Sequence, residues 1–341
     1  MSRLMKGLLL VFGVVAVALI WFALSRSPAV SVRGKTTLRF QLQWFHQAQF
    51  VGYYVAQERG FYDRENLDVR ILEGGFNSNP ITRVRTGGAD VALATGDQVM
   101  IQGALEPGSL KVIGTVFDGS VAVFMSRSTS PARTPSEMQG KTVGYYGGFD
   151  TENILLSLLT RSRIPLNTVN MVQASTLQAF RSGDMDVFPA YAINEPVQMR
   201  REGTDITLLY PDSFGVHYYS DSFFTTGRYW NDNRDVLRRF LRASAEGWRY
   251  ARENPDAAVS IMLRFVRTMS RRDSSLQRDM LEEVLAHMRR VGPQHLFEMD
   301  SLRWVQMEGA LRDIGRLNQR LAVTPILCDF DIARGLREQR N

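Results

Sequence analysis

Aromatic and hydrogen-bonding side chains recur where short apolar segments of the chain end. The rings that follow these segments are Trp44, Phe50, Tyr53, Tyr54, Tyr146 and Tyr191. The hydrogen-bonding groups beside them are Gln47, Asn77, Asp97, Asn194, Glu195 and Asp221. Aromatic faces favour flat partners by dispersion, and a carboxylate accepts N–H donors from the edge of such a partner. These residue types predict a binding site for a small, flat molecule that carries nitrogen.

Some of these positions also have a purely structural interpretation. Asn194 can begin a helix with Pro196 in the first turn, and Glu195 then only complements the helix dipole. Gly148 lies in a glycine turn whose backbone N–H groups can hold an oxygen atom, although glycine there also simply permits a tight turn. Asp97 can be a helix-start residue, and Phe50 and Tyr54 can be ordinary core residues on a helix. As binding residues, Asp97 and Glu195 would oppose a sulfonate or phosphate and favour a neutral or cationic ligand.

The composition excludes several other classes of protein. Four basic residues and no acidic one precede Lys35, so the remaining chain has 37 basic and 35 acidic residues and offers no electrostatic case for nucleic-acid binding. Cys328 is the single cysteine, and the four histidines lack metal-ligand spacing. We therefore expect no disulfide, no metal and no cofactor.

The first 34 residues form a leader. Arg3 and Lys6 precede an uncharged apolar run over residues 7–24. Such a run predicts export, with its basic end left in the cytoplasm. It is compatible with a cleaved signal peptide or with a retained membrane anchor. Either way, we expect residues 35–341 in the periplasm or on the outer face of the cytoplasmic membrane.

The elements that must position the site alternate between strand and helix. Strand patterns occur at 37–43, 67–73, 89–94, 112–115, 122–125, 142–145, 168–172, 187–191 and 223–226, and helical patterns at 52–59, 80–86, 98–105, 152–161, 176–182, 235–253, 255–265, 274–291 and 300–317. This alternation predicts an α/β fold whose two halves are alike, with the late helices packed on the first half. Ligands of such sheets bind beyond the carboxyl ends of the strands, where the rings above lie.

Residues 42–73, LQWFHQAQFVGYYVAQERGFYDRENLDVRILE, resemble the opening of solute-binding proteins for thiamine pyrimidine precursors and alkanesulfonates. Further matches in the same order are GGAD at 87–90, GKTVG at 140–144, GDMD at 183–186 and SD at 220–221. The resemblance covers residues 37–260.

The resemblance implies a type II periplasmic-binding-protein fold with a cleft between two lobes. The first lobe would comprise 37–117 and 225–341 and the second 122–220, with chain crossings near 115–123 and 220–225. It also implies a small-molecule ligand, closure of the lobes around it, and delivery to the permease of an ABC importer. If the leader is retained, the chain would also contact the membrane.

Two other functions of similar proteins need separate consideration. A related pyrimidine synthase uses a lysine, a histidine and a cysteine-rich segment, but Ala94 and Gln98 occupy the first two positions here and Cys328 lies elsewhere. The resemblance therefore favours a binding protein over an enzyme. Similar domains also serve as membrane-anchored sensors, and an uncleaved leader would suit that role.

Overall fold

The computed structural model describes residues 34–267, 273–288, 296–323 and 326–328. The predicted leader up to residue 33 lies outside this part of the chain. Within it, no helix combines the length and the apolar character needed to cross a bilayer.

Five strands in the order β2-β1-β3-β10-β4 form the first sheet. Their bounds are β1 Thr36–Gln41, β2 Leu67–Leu72, β3 Val91–Thr95, β4 Leu110–Thr115 and β10 Asp221–Thr226. Strand β1 runs parallel to β2 and β3, whereas β10 is antiparallel to β3 and β4. All five residues of β3 are buried. A continuous apolar strand of this kind is typical of a sheet covered on both faces.

The second sheet repeats this arrangement in the order β7-β6-β8-β5-β9. Its bounds are β5 Ala122–Arg127, β6 Thr142–Tyr145, β7 Asn170–Gln173, β8 Val187–Tyr191 and β9 Ile206–Leu209. Strands β6, β7 and β8 are parallel, and β5 pairs antiparallel with β8 and β9. The two halves are therefore alike, as the sequence predicts. Strand β9 has no counterpart among the predicted strands.

The helices alternate with the strands and then follow them. Their bounds are α1 Val51–Glu58, α2 Phe61–Arg64, α3 Pro80–Arg85, α4 Gly96–Leu105, α5 Asp150–Arg161, α6 Gln178–Ser182, α7 Glu195–Arg201, α8 Gly227–Asp232, α9 Arg234–Glu253, α10 Pro255–Met262, α11 Ser274–His287 and α12 Ser301–Asp313. Helix α9 packs closely on α1 because glycines meet at the crossing. A Cβ on Gly247 would lie 1.9 Å from the carbonyl oxygen of Gly52.

Within the described residues, the chain passes between the sheets twice, through 116–121 and 210–220. These two segments lie side by side, because the Ser220 amide donates to the Gly119 carbonyl at 3.4 Å and the Val121 amide donates to the Ser220 hydroxyl at 3.0 Å. We expected the second crossing near 220–225. The structure instead uses Asp221–Thr226 as an inner strand, whose buried Phe223 and Phe224 pack in the core on either side of the first sheet.

The late helices do not all pack on the first lobe alone. Helices α9 and α10 contact α1, as expected, but α11 contacts both the turn at 48–50 and α7 of the second lobe. An ion pair between Arg201 and Asp279 joins α7 to α11. Helix α12 likewise contacts α4 of the first lobe and α5 of the second. Two helices therefore bridge the lobes.

Candidate functional site

A cavity lies between the two lobes, beside the crossing segments. It encloses about 640 Å³ of empty space, a figure that includes its open mouth. The first lobe lines it with Gln43, Trp44, Gln47, Gln49, Phe76 and Thr95. The second lobe contributes, among others, Tyr146, Phe149, Asp150, Tyr191, Asn194 and Glu195.

The ends of four strands deliver these residues. The segment 43–49 follows β1, Thr95 ends β3, Tyr146 follows β6, and Tyr191 ends β8. The carboxyl ends of parallel strands lie at one edge of a sheet, where ligands of open α/β proteins bind. The two sheets therefore present their binding edges to each other across the cavity.

Aromatic rings form much of the cavity wall. The Trp44 ring is 4.7 Å from the Phe76 ring and 6.2 Å from the Phe149 ring between centroids, and both pairs are edge to face. Phe149 belongs to the second lobe and also contacts Tyr146, with centroids 6.4 Å apart. The contact between Trp44 and Phe149 spans the cleft. A flat ligand that stacks here contacts both lobes.

A network of glutamine amides connects the first-lobe wall to Asp221. The side-chain amides of Gln43 and Gln49 both donate to the Asp221 carboxyl, the latter at 2.8 and 2.9 Å. Gln47 in turn donates to the Gln49 carbonyl at 2.7 Å. Burial raises the pKa of Asp221 to about 7, although these amide donors lower it. Asp221 therefore lies behind the wall and orients the glutamines that line it.

Asp150 is the buried acid that lines the cavity directly. Its side chain is 1% exposed, and the Tyr191 hydroxyl donates to its Oδ2 at 3.0 Å. Burial, together with the charges of Asp97 and Asp221, raises the pKa of Asp150 to about 8, although the Tyr191 hydrogen bond lowers it. A carboxyl group with this pKa is largely protonated at neutral pH, so it can both donate and accept a hydrogen bond.

Asp97 is fully buried behind the cavity and links the lobes. The Asn153 side chain of α5 donates to its Oδ2 at 2.6 Å. The carbonyl of the same Asn153 amide accepts from Arg316 at 2.9 Å. Burial is the main cause of the raised pKa of Asp97. Asp97, which was predicted to bind the ligand, thus forms a contact between the lobes and does not line the cavity.

Glu195 and Asn194 lie both at the start of a helix, as the structural interpretation predicts, and at the cavity, as the binding interpretation predicts. Glu195 begins α7 with Pro196 in the first turn, and it also lines the cavity. Its two carboxylate oxygens accept from the Tyr191 amide and the Asn194 side chain, both at 2.9 Å. Asn194 lines the cavity and does not cap α7 with its side chain. The carboxylate thus orders the loop after β8 and places negative charge at the cavity.

Four other predicted binding residues lie away from the cavity lining. Phe50 and Tyr53 are fully buried in the first-lobe core, where Tyr53 meets Phe40 edge to face at 4.9 Å. Asn77 is exposed. Gly148 adopts a positive φ of 78°, and its backbone N–H donates to Glu152 at 3.3 Å. That donor satisfies a local turn, which supports the structural interpretation of this glycine.

Sequence reasoning missed nine lining residues, which are Gln43, Gln49, Phe76, Thr95, Phe149, Asp150, Thr151, Pro189 and Ala190. Asp150 and Phe149 belong to the glycine turn from which only Gly148 was predicted to bind the ligand. The useful signal for Asp150 was an acid two residues after a glycine pair that follows a strand. For Phe76 the signal was an aromatic residue directly after Gly74-Gly75.

The cavity is acidic, because Asp150 and Glu195 line it and none of its described lining residues is Lys or Arg. Across the described part of the chain, no three His, Cys, Asp or Glu side chains are grouped as a metal ion requires. Burial raises the pKa of the Cys328 thiol to about 12, so this thiol is not ionised at neutral pH. The geometry is suited to recognising a ring with N–H groups.

Two like lobes with a cavity between them define the periplasmic-binding-protein fold. The aliphatic sulphonate binding protein SsuA of Escherichia coli has this fold and is 13% identical, with a TM-score of 0.65 over 86% of this chain and 92% of that one. The chain belongs to the NMT1/THI5-like family, whose model matches residues 47–258.

Two relatives have names that state a ligand. The riboflavin-binding protein RibY of Chloroflexus aurantiacus is 27% identical over 287 residues, covering 81% of this chain and 80% of the relative. The formylaminopyrimidine-binding protein of Halalkalibacterium halodurans is 26% identical over 231 residues, covering 67% and 70%.

Proposed function

We propose that this protein is an extracytoplasmic solute-binding protein that captures a small, flat, nitrogen-containing ligand between its lobes for an ABC importer. The observation that carries the proposal is the cavity between the lobes, with aromatic walls and acidic hydrogen-bonding groups. The ligands named for the two relatives, a formylaminopyrimidine and riboflavin, are both flat heterocycles with N–H groups.

Ligand capture requires that the ligand favour the closed arrangement of the lobes. A ligand stacked among Trp44, Tyr146 and Phe149 contacts both lobes at once. It therefore binds the closed state more tightly than the open one, and this difference in affinity drives closure. A ligand bound to one lobe alone would leave the equilibrium unchanged.

The acidic lining separates nitrogen heterocycles from sulfonates. A sulfonate offers only acceptor oxygens and a negative charge, so it needs cations or N–H donors. None of the described lining residues is Lys or Arg, and the Glu195 carboxylate opposes a second negative charge in the cavity. The likeness to a sulphonate-binding protein is thus a likeness of fold. The cavity chemistry supports a ligand of a different class.

We infer that binding, and not catalysis, is the activity. Ala94 lies in β3 and Gln98 in α4, at the positions where the related synthase uses a lysine and a histidine. Neither side chain can form a Schiff base or transfer a proton. The basic residues before the apolar run support a location on the outer side of the cytoplasmic membrane.

Titration calorimetry of residues 35–341 tests the proposal with formylaminopyrimidine, riboflavin and ethanesulfonate as probes. We expect saturable binding of at least one heterocycle, with a decrease in radius of gyration by small-angle scattering, and no binding of ethanesulfonate. Trp44→Ala should weaken binding, whereas Trp230→Ala, on α8, should not. Tight binding of ethanesulfonate alone, or saturation without compaction, would contradict the proposal.

A further inference from the structure

Asp150 is an unusual cavity residue because it is almost fully buried and yet lines the cavity. It is the first residue of α5, and the hydroxyl of Tyr191 holds its Oδ2 at 3.0 Å. Tyr191 ends the neighbouring strand β8, so the carboxyl is fixed from two elements of the second lobe. A ligand between the lobes meets this carboxyl in one defined orientation.

Most of the ionisable groups around Asp150 are acids. The titratable and charged groups around it are Glu152 on its own helix, Asp97 on α4, Asp221 on β10, Glu195 on α7, Tyr146 after β6, Tyr191 on β8, Tyr218 before β10, and Arg316 after α12. Arg316 is occupied, since it donates to Asn153 at 2.9 Å and to Glu152 at 2.7 Å. Ionising Asp150 would therefore place a further negative charge among acids in a buried site.

We propose that Asp150 binds the ligand as a neutral carboxylic acid, through a pair of hydrogen bonds to a ring edge on which an acceptor and an N–H donor are adjacent. This inference rests on the proposed function. The acid O–H donates to the ring acceptor, while the carbonyl oxygen, which has two lone pairs, accepts from both Tyr191 and the ligand N–H. The raised pKa of Asp150, caused chiefly by burial, agrees with this protonation state.

The paired edge defines the class of ligand. An amidine edge, in which a ring nitrogen lies beside an amino group, fits it, and so does a lactam edge, in which a carbonyl lies beside a ring N–H. Aminopyrimidines carry the first edge and flavins carry the second, so the same carboxyl can read either. A sulfonate has no N–H donor and fits neither arrangement.

The dependence of affinity on pH tests the inference, with a formylaminopyrimidine and riboflavin as the probes. Because only the protonated acid binds and the pKa of Asp150 is about 8, the dissociation constant should rise about tenfold between pH 7 and pH 9. Asp150→Asn keeps a donor and an acceptor but cannot ionise, so its affinity should change much less over this range than that of the native protein and should exceed it at pH 9.

Two further variants separate the role of Asp150 from a general effect of pH. Asp150→Leu removes both hydrogen bonds, so at pH 7 it should weaken binding at least about tenfold, and the gap to the native protein should narrow towards pH 9. Asp232→Asn, an exposed acid on α8, should retain the native pH profile. Native affinity that is constant with pH, or rises with it, overturns the neutral-acid inference while the proposed function stands. If neither heterocycle binds at any pH, the proposed function fails together with it.

Discussion

Asp150→Asn should stabilise the ligand-free protein, and the gain should depend on pH. In the unfolded chain an aspartate has a pKa of about 3.9, whereas burial raises the pKa of Asp150 to about 8 in the folded protein. Below pH 4 both states bind the proton, and Asp150 has no net effect on stability. Between pH 4 and pH 8 only the unfolded state ionises, so stability falls as the pH rises.

The size of the effect follows from the two pKa values. A difference of about four pH units corresponds to an upper limit of about 5 kcal/mol. For a protein of this length, that limit corresponds to a rise in Tm of about 7 °C.

Thermal unfolding followed by circular dichroism at pH 4, 6 and 8 measures this difference. The Tm of Asp150→Asn should exceed the native Tm by an amount that grows from pH 4 to pH 8, by up to about 7 °C, and then stays constant. Asp232→Asn serves as the control, because this acid is exposed on α8. A difference that does not grow with pH, or a variant less stable than the native protein at pH 8, would refute the reasoning.

Three further predictions concern the aromatic wall, the interlobe contact and the helix crossing. Trp44→Ala should weaken the binding of a heterocycle by about 1–3 kcal/mol in calorimetry, because it removes a ring that contacts the second lobe. Asn153→Ala removes the donor to Asp97 that links the lobes, so small-angle scattering should show a larger radius of gyration in the ligand-free protein. An unchanged scattering profile would contradict this role. Gly247→Ala should lower stability by about 1–3 kcal/mol through its collision with Gly52. Helix propensity alone predicts the opposite sign, so thermal unfolding separates the two effects.

The strands and helices were readable from the sequence where their patterns are long or strongly apolar. The predicted helix 235–253 agrees with α9 to within one residue at its start. The agreement is this close because the buried face repeats at helical spacing. Strand β9 was missed because it has four residues and only Leu209 is fully buried. The placement of Asp221–Thr226 in the first sheet depends on pairing with β3 and β4, which are remote in sequence.

The candidate site was only partly predictable for a related reason. Trp44 and Tyr146 follow strands, and the carboxyl ends of strands are a general binding edge. Tyr53 was assigned to the site by its position near Trp44, but Phe40 and Trp248 cover its ring in the core. Trp248 comes from α9, almost two hundred residues later. Whether a ring faces a cavity or a core thus depends on which distant helix packs on it.

The position of β10 constrains how this chain can acquire its structure during synthesis. Strand β4 hydrogen-bonds to no strand of the described first sheet except β10, so a nascent chain that ends at residue 220 leaves β4 without its partner. The second sheet is built from one continuous stretch, 122–209, and needs no later strand. The second sheet can therefore be completed before the first one is. A fragment covering residues 36–220 should expose an unpaired sheet edge that is prone to aggregation.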